Sequence, residues 1–135
     1  MSTRAERIER AARALVGAPF RLHGRDAAGG VGCIGLVVLS LKAAGCPAER
    51  FAPAGYSVRG GLRDAFDVAL RAAGLRPVTR GRAGDIVLVQ SGVAQMHLMI
   101  AVTGGHVHAH ASLGHVVEMP GPSPWREIGR WRWGR

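Results

Sequence analysis

The sequence predicts an α+β fold, with N-terminal helices packed on an antiparallel sheet of about five strands. Two observations support this prediction. In the first half of the chain, apolar residues recur every three or four positions, which is the spacing of a helix with one buried face. From residue 85 onward, apolar residues form short runs between glycine-rich turns, which is typical of strands.

The 135 residues suit one domain over residues 1–135, and the element boundaries follow from local signals. Helices are expected over residues 3–16, 33–45 and 62–74, each ending at or next to a glycine. Thr3 and Glu6 have the spacing of a capping box at the start of the first helix. Strands are expected over residues 86–89, 97–102, 106–111, 115–118 and 128–133. Residues 119–135 are interpreted as a C-terminal tail that could dock on a partner.

The chain carries a formal net charge of +9, almost entirely from arginine. These arginines are scattered and aromatic residues are few, so the sequence shows neither a recognition helix nor a base-stacking surface. We therefore expect no nucleic acid partner, and we attribute the charge to a solvated surface or to docking on an anionic polymer or protein. No apolar run could span a bilayer and the N-terminus has no secretory signal, so we expect synthesis in the cytoplasm and no membrane insertion.

Cys33 follows a glycine-rich loop at residues 29–32 and opens the second helix. Unpaired backbone amides and the positive end of the helix dipole favour a thiolate at such a position. The position also suits a small apolar residue buried at a helix start, so the cysteine alone leaves both interpretations open. A disulfide to Cys46 is not expected, because it would join helix ends about 20 Å apart.

Five of the six histidines lie between residues 97 and 115. A two-residue Gly-Gly turn would pair Thr103 with His106, Ala101 with His108, and Met99 with His110. His97 and His110 would then share one face of the sheet as diagonal neighbours. An imidazole facing a cysteine can take the thiol proton, and a second polar group can hold that imidazole in the required tautomer. We therefore assign His97 as the general base and His110 as the residue that orients it.

A metal site is the alternative for this histidine-rich segment, because His106, His108 and His110 share a strand face and three imidazoles can bind zinc. No paired carboxylate or cysteine reinforces this alternative, so we expect no metal and no cofactor. His106 and His115 flank turns and are expected to be exposed. His23 is interpreted as a loop residue that could line the cleft.

Five short motifs occur in a fixed order: Gly17-Ala18-Pro19-Phe20, Gly32-Cys33-Ile34-Gly35-Leu36-Val37, Ala83-Gly84-Asp85-Ile86-Val87, His97-Leu98-Met99-Ile100 and His110-Ala111-Ser112. Together they resemble the NlpC family of cell-wall cysteine peptidases. The resemblance implies a papain-like fold, with Cys33 as nucleophile, His97 as base and His110 as the third residue. Trp125 and the arginine- and tryptophan-rich tail most resemble the branch found in phage tails and gene transfer agents.

Three positions differ from the pattern of that family. Gly32 stands where the family usually has an aspartate that helps to receive the free amine of a stem peptide. Ile34 stands where a serine is common, and Phe20 stands where a tyrosine is usual. Tyr56 is a candidate to supply the missing hydroxyl. We expect Phe20, Gly32, Ile34, Tyr56 and His108 to contact the substrate.

The resemblance implies hydrolysis of peptidoglycan stem peptides, at a bond made by D-glutamate or diaminopimelate, through a Cys-His-His triad. It also implies a component of a phage-like tail that acts in the periplasm or cell wall, with tail hub or baseplate proteins as partners. Two alternatives stay open. The chain could be a structural tail component that binds without cutting, or its thiol could catalyse another amide hydrolysis or an acyl transfer.

Overall fold

The computed structural model describes residues 2–51, 62–93 and 95–134. The helices are α1 (Arg4–Ala14), α2 (Cys33–Ala43) and α3 (Leu62–Ala72), with a short 3-10 helix at Ala48–Arg50. The strands are β1 (Arg25–Asp26), β2 (Gly30–Val31), β3 (Leu75–Pro77), β4 (Ile86–Gly92), β5 (Gln95–Val102), β6 (Gly105–His110), β7 (His115–Pro120) and β8 (Arg126–Trp133). None of the helices in the described ranges is long and apolar enough to cross a membrane.

Six strands form one antiparallel sheet in the order β3-β8-β4-β5-β6-β7, and β1 and β2 form a separate two-stranded ribbon. The α+β prediction is therefore confirmed. The sheet has one strand more than expected, because β3 is only three residues long and ends in a proline, which weakens any strand pattern. The last strand predicted over residues 128–133 is present as β8, which lies between β3 and β4 with both of its edges paired within the chain.

Helix α2 is the centre of the fold. It is apolar on nearly every side, and its residues from Ile34 to Val38 are all buried, as expected for a helix enclosed by protein. One side contacts α1, whose predicted capping box between Thr3 and Glu6 is present. The other side packs on the inner face of the sheet, where Leu98 and Ile100 are buried. This packing places the first residue of α2, Cys33, beside β5.

The outer face of the sheet carries a second, smaller apolar cluster. Val87 and Val89 of β4 and Met99 and Ala101 of β5 are buried there, and Trp125 packs over them from the segment before β8. Because alternate residues of a strand point to opposite faces, His97 lies on this outer face, while its neighbour Leu98 faces α2. The start of β5 therefore contributes His97 to the outer face of the sheet and Leu98 to the inner face.

Gly35 is required by the close approach of α2 to the preceding loop. A Cβ atom at Gly35 would collide with the backbone carbonyl of Gly24, and backbone cannot rotate away as a side chain can. The Gly24 carbonyl also accepts a hydrogen bond of 2.9 Å from the Gly32 N–H, which holds the loop against the start of the helix.

Gly35→Ala is therefore expected to destabilise the protein. In an open helix, the change from glycine to alanine stabilises by about 1 kcal/mol. Here the contact is with backbone, so the overpacking cost of about 3 kcal/mol exceeds that gain and the free energy of unfolding should fall by about 2 kcal/mol. Urea denaturation measures it, and Ala43→Gly, at an exposed position of α2, calibrates the helix propensity alone. A more stable Gly35→Ala protein would contradict the close packing.

Candidate active site

A cleft of about 530 Å³ opens at the end of the sheet where α2 begins. Cys33 lines it from α2, and His97 from β5. His108 and His110 line it from β6, and Trp125 closes one side. The predicted nucleophile and all three histidines considered for the triad are therefore brought together from separate parts of the chain.

Cys33 is the first residue of α2, after an extended Gly32 at the N-cap position. The backbone N–H groups of Leu98, Ile34 and Cys33 itself are directed at the thiol. Burial is the largest influence and raises the pKa of the Cys33 thiol, and the three amides offset only part of that rise. The thiol is therefore protonated in the resting protein, whereas the helix terminus alone favoured a thiolate. Cys46 is also a free thiol, is buried, and donates to the Ala73 carbonyl.

The loop before Cys33 is tightly packed and explains the glycine at position 32. A Cβ at Gly32 would lie 3.1 Å from both the backbone carbonyl oxygen of Arg21 and the backbone nitrogen of His23. His23 has a positive φ of 61°, which brings this loop back over the helix start. A larger residue at position 32 would require the loop to move by a few tenths of an ångström.

The histidine that contacts His97 is His108. Nε2 of His97 and Nδ1 of His108 are 3.0 Å apart and form a hydrogen bond. His110 lies beside His108, with ring centroids 5.4 Å apart, and its Nδ1 accepts a hydrogen bond from the Leu113 N–H. The geometry therefore gives His108 the position next to His97 that the sequence analysis assigned to His110.

The strand pairing explains this difference. The β5–β6 turn is formed by Thr103 and Gly104, with Ala101 opposite His106, so the predicted register is wrong by two residues. Gly104 adopts the positive φ of the turn, at 83°. Gly105 belongs to β6, where a Cβ would collide with the Met119 backbone of β7. A shift of two residues keeps every side chain on its predicted face, so the histidines still share one side of the sheet.

Trp125 covers the histidine pair from the solvent side. Its ring meets the ring of His97 edge-on at 6.1 Å and that of His108 edge-on at 5.6 Å. Burial, followed by the neighbouring histidines, lowers the pKa of His97 to about 4, and the same causes lower the pKa of His108 to about 4. Both rings are therefore neutral at pH 7. Among the hydrogen bonds of the described residues, none joins the Cys33 thiol to His97.

These shifts predict the pH dependence of hydrolysis at this site. His97 must be neutral to accept a proton, so kcat/KM should fall as pH drops through about 4, and not near 6.5. A pH–rate profile measured with a neutral peptide gives the midpoint of this fall in kcat/KM. Trp125→Ala, which exposes both rings to water, should move the midpoint to higher pH. A midpoint near pH 6.5 in the unmodified protein would contradict the shielding of the two histidines from water.

The remaining predicted residues divide into three groups. Phe20 and Ile34 line the cleft, as His108 and His23 do, while Gly32 lies at the helix start beside it. Tyr56 lies outside the described residues. The exposure expected of turn-flanking histidines is confirmed for His115 but is wrong for His106, which is partly buried and whose Nδ1 has no hydrogen-bond partner among the described residues. Within the described ranges, no three His, Cys, Asp or Glu side chains are placed to hold a metal ion.

Comparison with known proteins supports the fold. No protein-family model matches this chain, and a search of curated proteins gives no match. Among solved structures, the chain is similar to the P60 domain of an antigen from M. avium subspecies paratuberculosis, with a TM-score of 0.58 and 20% identity. That match covers 96% of this chain and 93% of the P60 chain. The fold is therefore NlpC/P60-like, as the ordered motifs predicted.

Proposed function

We propose that this protein is a cysteine peptidase that cleaves peptidoglycan stem peptides, at a bond made by D-glutamate or diaminopimelate. The observation that carries the proposal is the His97–His108 hydrogen bond in the same cleft as a cysteine at a helix N-terminus. The NlpC/P60-like fold and the ordered sequence motifs support the substrate class.

The hydrogen bond between the histidines fixes how protons are arranged in this proposal. If Nδ1 of His97 is to accept the thiol proton, its Nε2 carries the hydrogen and donates it to Nδ1 of His108. The hydrogen of His108 is then on Nε2, a buried nitrogen with no hydrogen-bond partner among the described residues. His108 thus fixes the tautomer of His97, and this replaces the role first given to His110.

The reaction follows from these positions. The Cys33 sulfur attacks the peptide carbonyl carbon while its proton passes to His97, and the backbone N–H of Cys33 donates to the developing oxyanion. His97 returns the proton to the leaving amine as the carbon–nitrogen bond breaks, which leaves an acyl thioester on Cys33. Water then attacks the thioester with His97 as base, and the acid product leaves with Cys33 restored. Because both groups start neutral, proton transfer accompanies attack and does not precede it.

The two neighbours of His97 should respond differently to substitution. His108→Ala removes the partner of Nε2 and is expected to lower kcat/KM by about 10²- to 10⁴-fold, because the group that fixes the tautomer of the base is lost. His108→Asn, which can still accept a hydrogen bond, should recover part of the loss. His110→Ala should change kcat/KM by less than about threefold, because no hydrogen bond joins His110 to His97 or Cys33 among the described residues. A larger loss from His110→Ala would return the orienting role to His110.

The proposal is tested by digesting purified peptidoglycan with the protein and with Cys33→Ala, and identifying the products by mass spectrometry. We expect new stem-peptide fragments from the unmodified protein only, and their masses identify the bond. Thermal melts of both proteins serve as controls for folding. No fragments from a folded, unmodified protein would refute hydrolysis of this substrate.

We also propose that the protein acts in the cell wall as a component of a phage-like tail, on the sequence resemblance described above. The arginine-rich surface suits docking on an anionic wall polymer or a tail protein. A non-catalytic tail component is the second candidate, favoured by the missing Cys33–His97 hydrogen bond within the described residues. Particles carrying Cys33→Ala should assemble normally but fail to enter cells. Unchanged entry would favour the non-catalytic candidate.

A further inference from the structure

We infer that this cleft selects stem peptides whose amino terminus is blocked by an amide link, because its lining among the described residues has no carboxylate to pair with a terminal ammonium group. Peptides with a free terminal ammonium group are then poor substrates. The inference rests on the proposed function and narrows its substrate class.

The lining of the cleft provides the first argument. Its largest side chains are apolar and come from separate elements: Phe20, Leu22, Ile34, Phe66, Met96 and Trp125. Its polar side chains, those of Ser91, Gln95, Ser112 and the histidines, include no carboxylate among the described residues. The segment over residues 52–61, whose structure is not described, contains no Asp or Glu in its sequence. The cleft therefore offers no anionic partner for an ammonium group.

The surroundings of the cleft provide the second argument. Leu22 is 70% exposed although it is large and apolar, and it stands in the loop that forms one wall. Arg21 is exposed in the same loop, and the exposed Arg25 and Asp26 of β1, which follow it, carry opposite charges. None of these three side chains is part of the lining. A cation that approaches this wall therefore meets the apolar surface of Leu22.

The physical consequence is a penalty on a charged amino terminus. An α-amino group has a pKa of about 8 in solution, so it is mostly charged at neutral pH. Placing a charge in an apolar site without a partner is unfavourable, whereas a secondary amide carries no charge. The same stem peptide should therefore be cleaved faster when its amine is acylated.

The test uses two forms of one synthetic stem peptide, with a free or an acetylated amino terminus. At pH 6.5, kcat/KM is expected to be at least tenfold higher for the acetylated form. The ratio should fall as pH rises past about 8, because the free amine loses its charge. Equal or faster cleavage of the free-amine peptide at pH 6.5 would overturn the inference.

Two matched variants test the electrostatic cause. Gln95→Glu adds a carboxylate to the cleft lining and should lower the ratio at least threefold by improving cleavage of the free-amine form. Gln90→Glu adds the same charge on β4 at a position that does not line the cleft, and should leave the ratio unchanged. An equal response of both variants would overturn the assignment of selectivity to the cleft.

Calorimetric binding to Cys33→Ala separates this inference from the proposed function. The acetylated peptide should bind at least fivefold more tightly than the free-amine peptide at pH 6.5. This preference without cleavage by the unmodified protein would refute only the proposed hydrolysis. Cleavage by the unmodified protein with the opposite preference would refute only the inferred selectivity.

Discussion

Replacement of His97 by alanine is expected to lower kcat/KM by about 10³- to 10⁴-fold, the loss typical of a missing general base. The reason is the raised pKa of Cys33: a thiol that is protonated at rest cannot attack efficiently unless a nearby base takes its proton. His97 is neutral at pH 7 and lines the cleft with Cys33. Steady-state kinetics on an acetylated stem peptide measure the loss.

Two comparisons make the His97 result specific. His115→Ala removes an exposed imidazole that forms a hydrogen bond with the Leu113 carbonyl and does not line the cleft, so kcat/KM should change by less than about twofold. The double variant with Cys33→Ala should be no less active than Cys33→Ala alone, because residues that act as one unit are not additive. Retention of more than about a tenth of the activity by His97→Ala would contradict the assignment of the base.

Asp85→Ala is expected to cause the largest loss of stability, about 3–5 kcal/mol, because two shielded guanidinium groups lose their buried counter-ion. Among the described residues, Arg130 would keep only its bonds to the more exposed Glu127, and Arg132 only its bond to the Arg80 carbonyl. Asp85 is fully buried just before β4. Its carboxylate accepts a hydrogen bond of 2.9 Å from Arg130 and bonds of 2.8 and 3.0 Å from Arg132. It also accepts from the Arg82 N–H at 2.8 Å, which closes the turn before the strand.

Chemical denaturation of Asp85→Ala measures this loss, and Asp64→Ala is the matched control. The Asp64 side chain is 87% exposed and lies 3.8 Å from Arg63, so its removal should change stability by less than about 0.5 kcal/mol. Similar stability of both variants would mean that the buried ion pairs of Asp85 contribute nothing net.

The parts of the fold that follow from local rules were predictable from the sequence. The capping box at Thr3 and Glu6 is present, and α2 begins at Cys33 as its glycine loop indicated. For the pairing of β5 with β6, the sequence predicted which side chains share a face of the sheet, but it did not predict which residues lie opposite each other. Two adjacent glycines, Gly104 and Gly105, can each serve the turn, and the choice depends on the contact of Gly105 with β7.

The candidate active site was also only partly predictable from the sequence. Cys33 and His97 carry recognisable chemistry, so sequence reasoning could select them. The choice between His108 and His110 required the register and the curvature of the strands, which arise from packing of the whole sheet. Trp125 was found only as a feature of the tail, because the 27 residues between it and His97 give no sign of contact. The missing signal is long-range packing, which one sequence does not encode in any local pattern.

The most direct test of the account is covalent labelling by a stem peptide that carries a diazomethyl ketone in place of the scissile bond, followed by peptide mapping. The account predicts one adduct per chain, at Cys33, with none at the buried Cys46. Labelling should be slowed strongly in His97→Ala and less in His108→Ala, and it should be nearly unchanged in His110→Ala. Labelling at Cys46, or an equal rate in His97→Ala, would contradict the Cys33–His97–His108 arrangement as the reactive centre.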